Sequence, residues 1–421
     1  MLDPVVVGRM CALSGDAPIC VALSGGGDSV ALLHLLAEGV GPRRLRALVV
    51  DHALRAGSDD AARRAASFAT ALGVRADVLT LAWPDRPRRA QAHARRARYA
   101  ALCEAARGLG ARVIAAAHSA DDQAETVFIR AGAGSSWRGL AGMAPLAPAP
   151  LWPEGRGLAL ARPLLGVRRA ELRAVLHARG AEWIEDPANA DAAFERVRVR
   201  AQLAELERGG FEPMRLARLA AGVRVRADAL DAEAWALVER AARFEGPEVA
   251  LDLSVAAPAI VRARALAALL AAAAGAERAP SLDDAAAILS RIDGAKRFTI
   301  AGVLVQPQSG GVRLARDPGA VLGHSGVPPL AELALTQARE TVWDGRMAFM
   351  AAAPGWRAAP AADASGYIGL IGPGERLFVS EPLGQDGPVL FGTNAVNARW
   401  LLRERAAHAL SAGLILDKKA R

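Results

Sequence analysis

The stretch that most constrains this chain runs from Pro18 to Leu36. A short apolar run, Ile19 to Leu23, breaks into Ser24-Gly25-Gly26-Gly27-Asp28-Ser29 and resumes with helical apolar spacing at Val30, Leu32, Leu33 and Leu36. A glycine turn between a buried strand and a helix lets the backbone approach a ligand closely. It also points free N–H groups and the positive end of the helix dipole at that ligand. Such a turn suits a phosphate. Two common phosphate turns are excluded by inspection. The P-loop needs Gly-Lys before Ser or Thr, and no lysine stands here; the dinucleotide turn needs glycine where Val30 stands.

Around this turn, short β-rich runs alternate with helical patterns. Strands are expected at 18–23, 45–50, 75–81 and 112–117, and helices at 29–38, 58–72, 87–107 and 120–131. That order predicts an α/β fold with a parallel sheet covered on both faces, and ligands then lie beyond the carboxyl ends of the strands. Ser24, Asp51, His52 and His118 fall at those ends. Further on, 145–153 reads as a loop, 166–179 as a helix, and Trp183 to Asn189 as a turn stopped by Pro187. Helical spacing and arginine dominate 213–290, with one strand-like run near 249–253. From Phe298 the texture changes to short β runs at 298–305, 311–315, 342–350, 366–371 and 376–380. The expected organisation is a catalytic α/β domain over 1–208, a helical domain over 209–297 and a small β-rich domain over 298–421.

Net charge is +8, which suits a polyanionic partner such as nucleic acid. Only Lys296, Lys418 and Lys419 are lysines, so the positive charge is nearly all arginine. Cys11, Cys20 and Cys103 form no C-x-x-C pair, which argues against a thiolate metal site or a disulfide framework and fits a reducing cytoplasm. No basic-then-apolar leader opens the chain, and the apolar run Ala265 to Ala276 is shorter than the roughly 20 residues a bilayer requires. A soluble, cytoplasmic protein without membrane partners is expected.

Two more polar clusters close strands. Val49-Val50-Asp51-His52-Ala53-Leu54-Arg55 ends the second, and His118-Ser119-Ala120-Asp121-Asp122-Gln123-Ala124-Glu125-Thr126 leads from the fourth into a helix. Asp121 and Glu125 are four apart and Asp122 and Glu125 three apart, so on a helix each pair shares a face. Carboxylates this close repel one another unless a metal or a substrate cation separates them. One such acid alone would read as a helix cap.

The Ser-Gly-Gly-x-Asp-Ser turn resembles the pyrophosphatase loop (PP-loop) of the N-type ATP pyrophosphatases. The ordered set resembles the tRNA(Ile)-lysidine synthetase family over residues 15–205. It comprises that turn, Asp51-His52-x-Leu54-Arg55, Gln91 to Tyr99, the His118 helix, Arg162-Pro163-Leu164-Leu165, Trp183 to Asn189, and Phe194 to Arg200. The resemblance implies a Rossmann-like ATP pyrophosphatase domain. ATP would adenylate the 2-oxo group of the wobble cytidine in a CAU anticodon, and free L-lysine would then displace AMP to give lysidine. Ser24, Gly25, Gly26, Gly27, Asp28 and Ser29 would bind the nucleotide, with Asp51 and Arg55 beside them. Asp28 and Asp122 would hold Mg²⁺. Asp121 or Glu125 would orient or deprotonate the incoming ammonium, and His118 would donate to a phosphate. Arg95 and Arg98 are candidate phosphate clamps.

Two departures from the family pattern stand out. Ser119 replaces a second histidine, and Ala133-Gly134-Ser135-Ser136 replaces a loop of Arg-Gly-Ser-Gly type, leaving Arg130 or Arg138 as substitutes for the lost charge. Arg196, Arg198 and Arg200 alternate with Val197 and Val199, which fits either an edge strand or the start of a helix; both readings offer cations to tRNA phosphates. Trp137 and Trp152 are candidate base platforms or core residues. The alternative functions are another PP-loop tRNA-modifying or amide-forming enzyme, and a tRNA-binding homologue without catalysis.

Overall fold

Ile19–Ala22 forms the first strand (β1), with Ile19, Cys20 and Val21 fully buried, as a central parallel strand requires. The computed structural model describes the chain apart from residues 56, 84–89, 186–192, 194, 293, 295, 363–366, 374, 379–388, 392–395 and 413–421. Residues 87–89 of the third expected helix therefore lie outside the described residues, as do Asp186 to Asn189 and Phe194. The chain divides into two compact units, Met1–Asp228 and Ala229–Leu416.

In the first unit the helices are α1 (Pro4–Ser14), α2 (Gly27–Val40), α3 (Ser58–Ala71), α4 (Ala90–Gly108), α5 (Ala120–Gly132), α6 (Arg169–Ala178), α7 (Glu195–Arg208) and the start of α8 (Met214–Ala241). Its strands after β1 are β2 (Leu45–Asp51), β3 (Arg75–Thr80), β4 (Val113–Ala115), β5 (Leu146–Pro148) and β6 (Ala159–Ala161). The sheet order is β3-β2-β1-β4-β6-β5, parallel except for the β5–β6 pair. The chain builds outward from β1 to β3, then returns to place β4 on the other side of β1. The crossovers reverse between β1 and β4, and in such sheets that gap is where a ligand binds. The turn after β1 and the His118 segment after β4 both open into it. The expected strands and helices of the first half recur within a few residues. Strands β5 and β6 are additions: the first lies inside the expected loop, with Pro148 tolerated because the strand is at the edge.

In the second unit, β7 (Ala242–Glu245), β8 (Glu248–Asp252), β9 (Phe298–Ile300), β10 (Val303–Gln308) and β11 (Gly311–Arg316) form one antiparallel sheet, ordered β7-β8-β11-β10-β9. Helix α9 (Ala259–Ala274) is apolar nearly all round and lies in this unit's core, flanked by α10 (Leu282–Ile292) and α12 (Leu402–Ala409). Between β11 and α12 lie a short helix, α11 (Pro318–Leu322), and eight short strands. Those strands are β12 (Leu333–Ala334), β13 (Glu340–Trp343), β14 (Met347–Ala351), β15 (Arg357–Pro360), β16 (Ile368–Gly372), β17 (Glu375–Phe378), β18 (Val389–Phe391) and β19 (Val396–Trp400). They make two four-stranded sheets around Trp343, Phe349, Trp356 and Ile368.

A buried ion pair, Arg264 Nε to Asp231 Oδ1 at 2.6 Å, joins α9 to α8 inside this second core. Asp231→Ala leaves a buried guanidinium uncompensated and is expected to cost about 3–5 kcal/mol, whereas the Asp231→Leu/Arg264→Met double variant should lie much nearer wild type. Chemical denaturation of the three proteins checks both statements.

Candidate active site

The turn after β1 is built by backbone constraints. Gly25 has φ +81°, a region a side chain rarely enters, and a Cβ there would meet Ile184 Cδ1 at 2.7 Å. The Ser29 hydroxyl donates to Gly26 O at 2.8 Å, accepts from Ser24 N–H at 3.2 Å and lies 3.1 Å from Ser24 Oγ. These bonds close the loop on itself. Helix α2 then starts at Gly27, with Gly26 as an N-cap that has no side chain to offer; Ser29 N–H turns back to Gly26 O at 2.9 Å, and the N–H groups of Gly27 and Asp28 remain available to an anion.

Across the gap, α5 begins with a capping box. Ser119 Oγ accepts from Asp122 N–H at 3.3 Å, and Asp122 Oδ2 accepts from both the N–H and the hydroxyl of Ser119 at 2.9 Å. This fixes the other oxygen of Asp122, Oδ1, toward the first residue of α6. Arg169 receives it. Its guanidinium donates to Asp122 Oδ1 at 2.9 Å and to Asp28 Oδ2 at 3.1 Å, and stands 3.6 Å from Glu125 Oε1. From α7, Arg200 Nε donates to Glu125 Oε1 at 2.6 Å, and Arg196 Nη1 stands 3.8 Å from Glu125 Oε2. Helix α7 is seated for this by Val199 and Leu203, which pack on Ala124 of α5.

Asp28, Asp122 and Glu125 therefore converge on one guanidinium. Burial pushes the Asp28 carboxyl above its usual range, although Arg169 pulls the other way. Burial also acts to raise Asp122, but Arg169 and the Ser119 hydrogen bonds outweigh it and the group lies below its usual range. Burial, reinforced by the charge of Arg162, drives His118 down to about 3, so its imidazole is neutral at physiological pH and offers a phosphate a hydrogen bond and no charge.

The remaining expected residues are placed as follows. Asp121 is turned away from the Arg169 guanidinium: its Oδ2 accepts the Arg169 N–H at 2.7 Å and its Oδ1 the Arg168 side chain at 3.3 Å, so it serves the start of α6. Asp51 is buried at the end of β2 and accepts from Ala53 N–H at 2.9 Å, holding the turn that carries the exposed Arg55. Gln123 bonds both the N–H and the carbonyl of Met143, pinning the loop after α5. Arg130 donates to Gly139 O and Gly142 O and is committed to the same loop. Trp152 is core, whereas Trp137 is exposed. The arginine alternation after Phe194 resolves as helix. Arg196 and Arg200, four apart, face the acids, and Arg198 bonds Ala193 O.

Arg169 and its neighbour Arg173 were not singled out from the sequence; in so arginine-rich a chain their only signal is their i,i+4 spacing on an expected helix. For Mg²⁺, the donor chemistry fits. Asp28 Oδ1 is a buried hard oxygen without a hydrogen-bond partner among the described residues, and Asp122 lies across the same guanidinium. No cluster of three or more ligands exists among the described residues, but Mg²⁺ is commonly held by one or two carboxylates with water and substrate phosphate.

A glycine turn at the switch point of a parallel sheet, facing clustered acids, defines a PP-loop protein. Consistent with this, residues 6–207 match the PP-loop domain family. Curated relatives make the assignment narrower. The chain is 39% identical to the tRNA(Ile)-lysidine synthase of Caulobacter vibrioides over 78% of its own length and 73% of the relative's. It is 35% identical to that of Ruegeria pomeroyi over 77% and 75%, and 48% identical to that of Hyphomonas neptunium over 44% and 50%. The chain belongs to the tRNA(Ile)-lysidine synthase family.

Two pH responses follow from the site. Unfolded, His118 takes a proton near pH 6.5; folded, only near 3, so its contribution is complete above 6.5 and is lost as pH falls toward 3. His118→Gln should remove up to about 1.4 kcal/mol per pH unit from the acid slope of stability in that window. Arg169→Leu removes the cation between Asp28 and Asp122, so the already raised Asp28 carboxyl rises further; its contribution is lost as pH rises through that raised value. This variant should gain stability as pH falls below neutral, opposite in sign to the His118 effect. Denaturation curves recorded as a function of pH test both.

Proposed function

We propose that this chain ligates L-lysine to C2 of the wobble cytidine of tRNA(Ile) bearing a CAU anticodon, using ATP and releasing AMP and pyrophosphate. The observation that carries the reading is the pairing of the 24–29 turn with the Asp28–Asp122–Glu125 cluster at the β1/β4 gap. The cytidine oxygen attacks the α phosphorus and pyrophosphate leaves. The amine of lysine then attacks C2, and the oxygen departs with AMP.

Ser24, Ser29 and the open N–H groups of α2 bind the β and γ phosphates. Asp28 and Asp122 would hold Mg²⁺, which when bound would supply charge neutralisation to phosphate oxygens. Lysine arrives as an ammonium and must lose a proton to attack. Glu125 is the group for this, because its Oε2 is buried and without a hydrogen bond while its Oε1 is held by Arg200. Asp121 acts indirectly, by capping the helix that presents Arg169. The chemistry belongs to 1–208, and tRNA contact to the segments 209–297 and 298–421 together with the arginines of 1–208, which carries most of the net positive charge. No helix among the described residues is long and apolar enough to cross a membrane, and three free thiols support work in the reducing cytoplasm.

The test is formation of AMP from ATP with lysine and unmodified CAU-anticodon tRNA. Asp28→Asn and Glu125→Gln should each lower kcat by roughly 10²-fold or more with tRNA affinity intact, and Asp121→Asn by much less. AMP release that depends on a different amine or on sulfide, and not on lysine, would refute the reading.

A further inference from the structure

Arg173 lies one turn beyond Arg169 on α6, so both face the start of α2. A side chain on residue 27 would collide with its guanidinium; the bare Cα of Gly27 is what allows Arg173 to rest on the turn. The arginine is carried there from below. Its guanidinium stacks 4.9 Å from the Trp183 ring, and His177 packs edge-on against the same ring at 5.2 Å. The next residue, Ile184, ties this segment to the turn by donating its N–H to Gly25 O at 2.9 Å.

Although placed so firmly, Arg173 Nη1 is buried and meets no hydrogen-bond acceptor among the described residues. Its ion pair among the described residues, Nη2 to Glu185 at 3.8 Å, is long, and Glu185 is 72% exposed. Such a pair is worth little. Arg169, by contrast, is saturated by three carboxylates and has little charge to spare for an anion. A buried donor with no acceptor is costly unless an acceptor arrives, and guanidinium is matched to phosphate oxygens.

We propose that Arg173 is a nucleotide-positioning residue, its guanidinium held over Gly27 by Trp183 so that it donates to non-bridging oxygens of the β,γ unit and to pyrophosphate as it leaves. The assignment rests on the reading of the 24–29 turn as the ATP site.

The test uses the full chain with inorganic pyrophosphate as the probe. Binding by calorimetry and product inhibition of AMP formation are compared for wild type, Arg173→Ala and Arg173→Lys. Arg173→Ala should weaken pyrophosphate binding and raise KM for ATP by about tenfold or more. KM for lysine, inhibition by AMP and the thermal midpoint should stay at wild-type values, and Arg173→Lys should recover part of the loss. If Arg173→Ala does not fold, Arg173→Gln takes its place with the same expectation. Unchanged pyrophosphate affinity, or an equal loss for AMP, would overturn the assignment. If wild type bound no pyrophosphate, the ATP reading itself would fall. Pyrophosphate binding without lysine-dependent turnover would sink only the choice of acceptor.

Discussion

The charge balance at Arg169 is the constraint on which the site depends. Three carboxylates from two helices meet at one guanidinium, and one of them, Glu125, is only 1% exposed. Without a cation between them these groups cannot all be ionised, because close like charges in a region of low polarity raise one another's pKa. The arginine occupies an unfavourable position of its own, since a cation in the first turn of a helix opposes the helix dipole. Two things offset this. Asp121 accepts the backbone N–H of Arg169 at the start of α6, and the side chain is surrounded by acids. The negative charges themselves sit well: Asp28 is in the first turn of α2 and Asp122 in the first turn of α5, where helix dipoles favour anions.

The same balance divides the gap by charge. An ATP molecule brings several negative charges, and the carboxylates repel them unless cations intervene. The turn offers the open N–H groups of α2, and Asp28 and Glu125 each carry a carboxylate oxygen with no hydrogen bond from a described residue. Hydrogen-bond donors are thus gathered at the glycine turn and acceptors at the acids. Backbone alone positions the donors.

Much of this was legible in the sequence, for definite physical reasons. A central parallel strand is buried on both faces, so β1 and the Ala47 to Val50 part of β2 read as apolar runs, and the turn after β1 announces itself by three successive glycines. The acid-rich start of α5 follows from the spacing of Asp121, Asp122 and Glu125. Strands β5 and β6 were not legible, because three-residue stretches of alanine, leucine and proline carry neither alternation nor β-branched enrichment. Arg169 and Arg173 were hidden by abundance: in an arginine-rich chain a basic helix reads as a solvated face until its neighbours are known. Asp121 and Asp122 illustrate a further limit. Adjacent residues on a helix point about 100° apart, so one turns into the cleft and the other caps α6, and no pattern within the helix says which.

The arginine expected in the loop after α5 is absent, and the structure bears on how that loss is met. Ala133 ends α5, and the nearest arginine, Arg130, is not released to replace a catalytic charge. It donates to the carbonyls of Gly139 and Gly142, where Arg224 Nη2 also donates to Gly142 O at 3.2 Å, and burial depresses its affinity for a proton. Gly142 O would keep its Arg224 donor if Arg130 moved, but the buried Arg130 guanidinium would lose both of its carbonyl partners. Positive charge reaches the acids from α7 instead. Val199 and Leu203 fix that helix on α5, so Arg196 and Arg200 arrive at Glu125 as a matter of helical period. A loop arginine is a mobile donor on a flexible stem, whereas two arginines on a packed helix are pre-positioned and give up less side-chain freedom on meeting an anion. The cost is reach: a helix cannot follow a substrate that moves during the reaction, so the two transfers in this cleft must take place around charges that stay still.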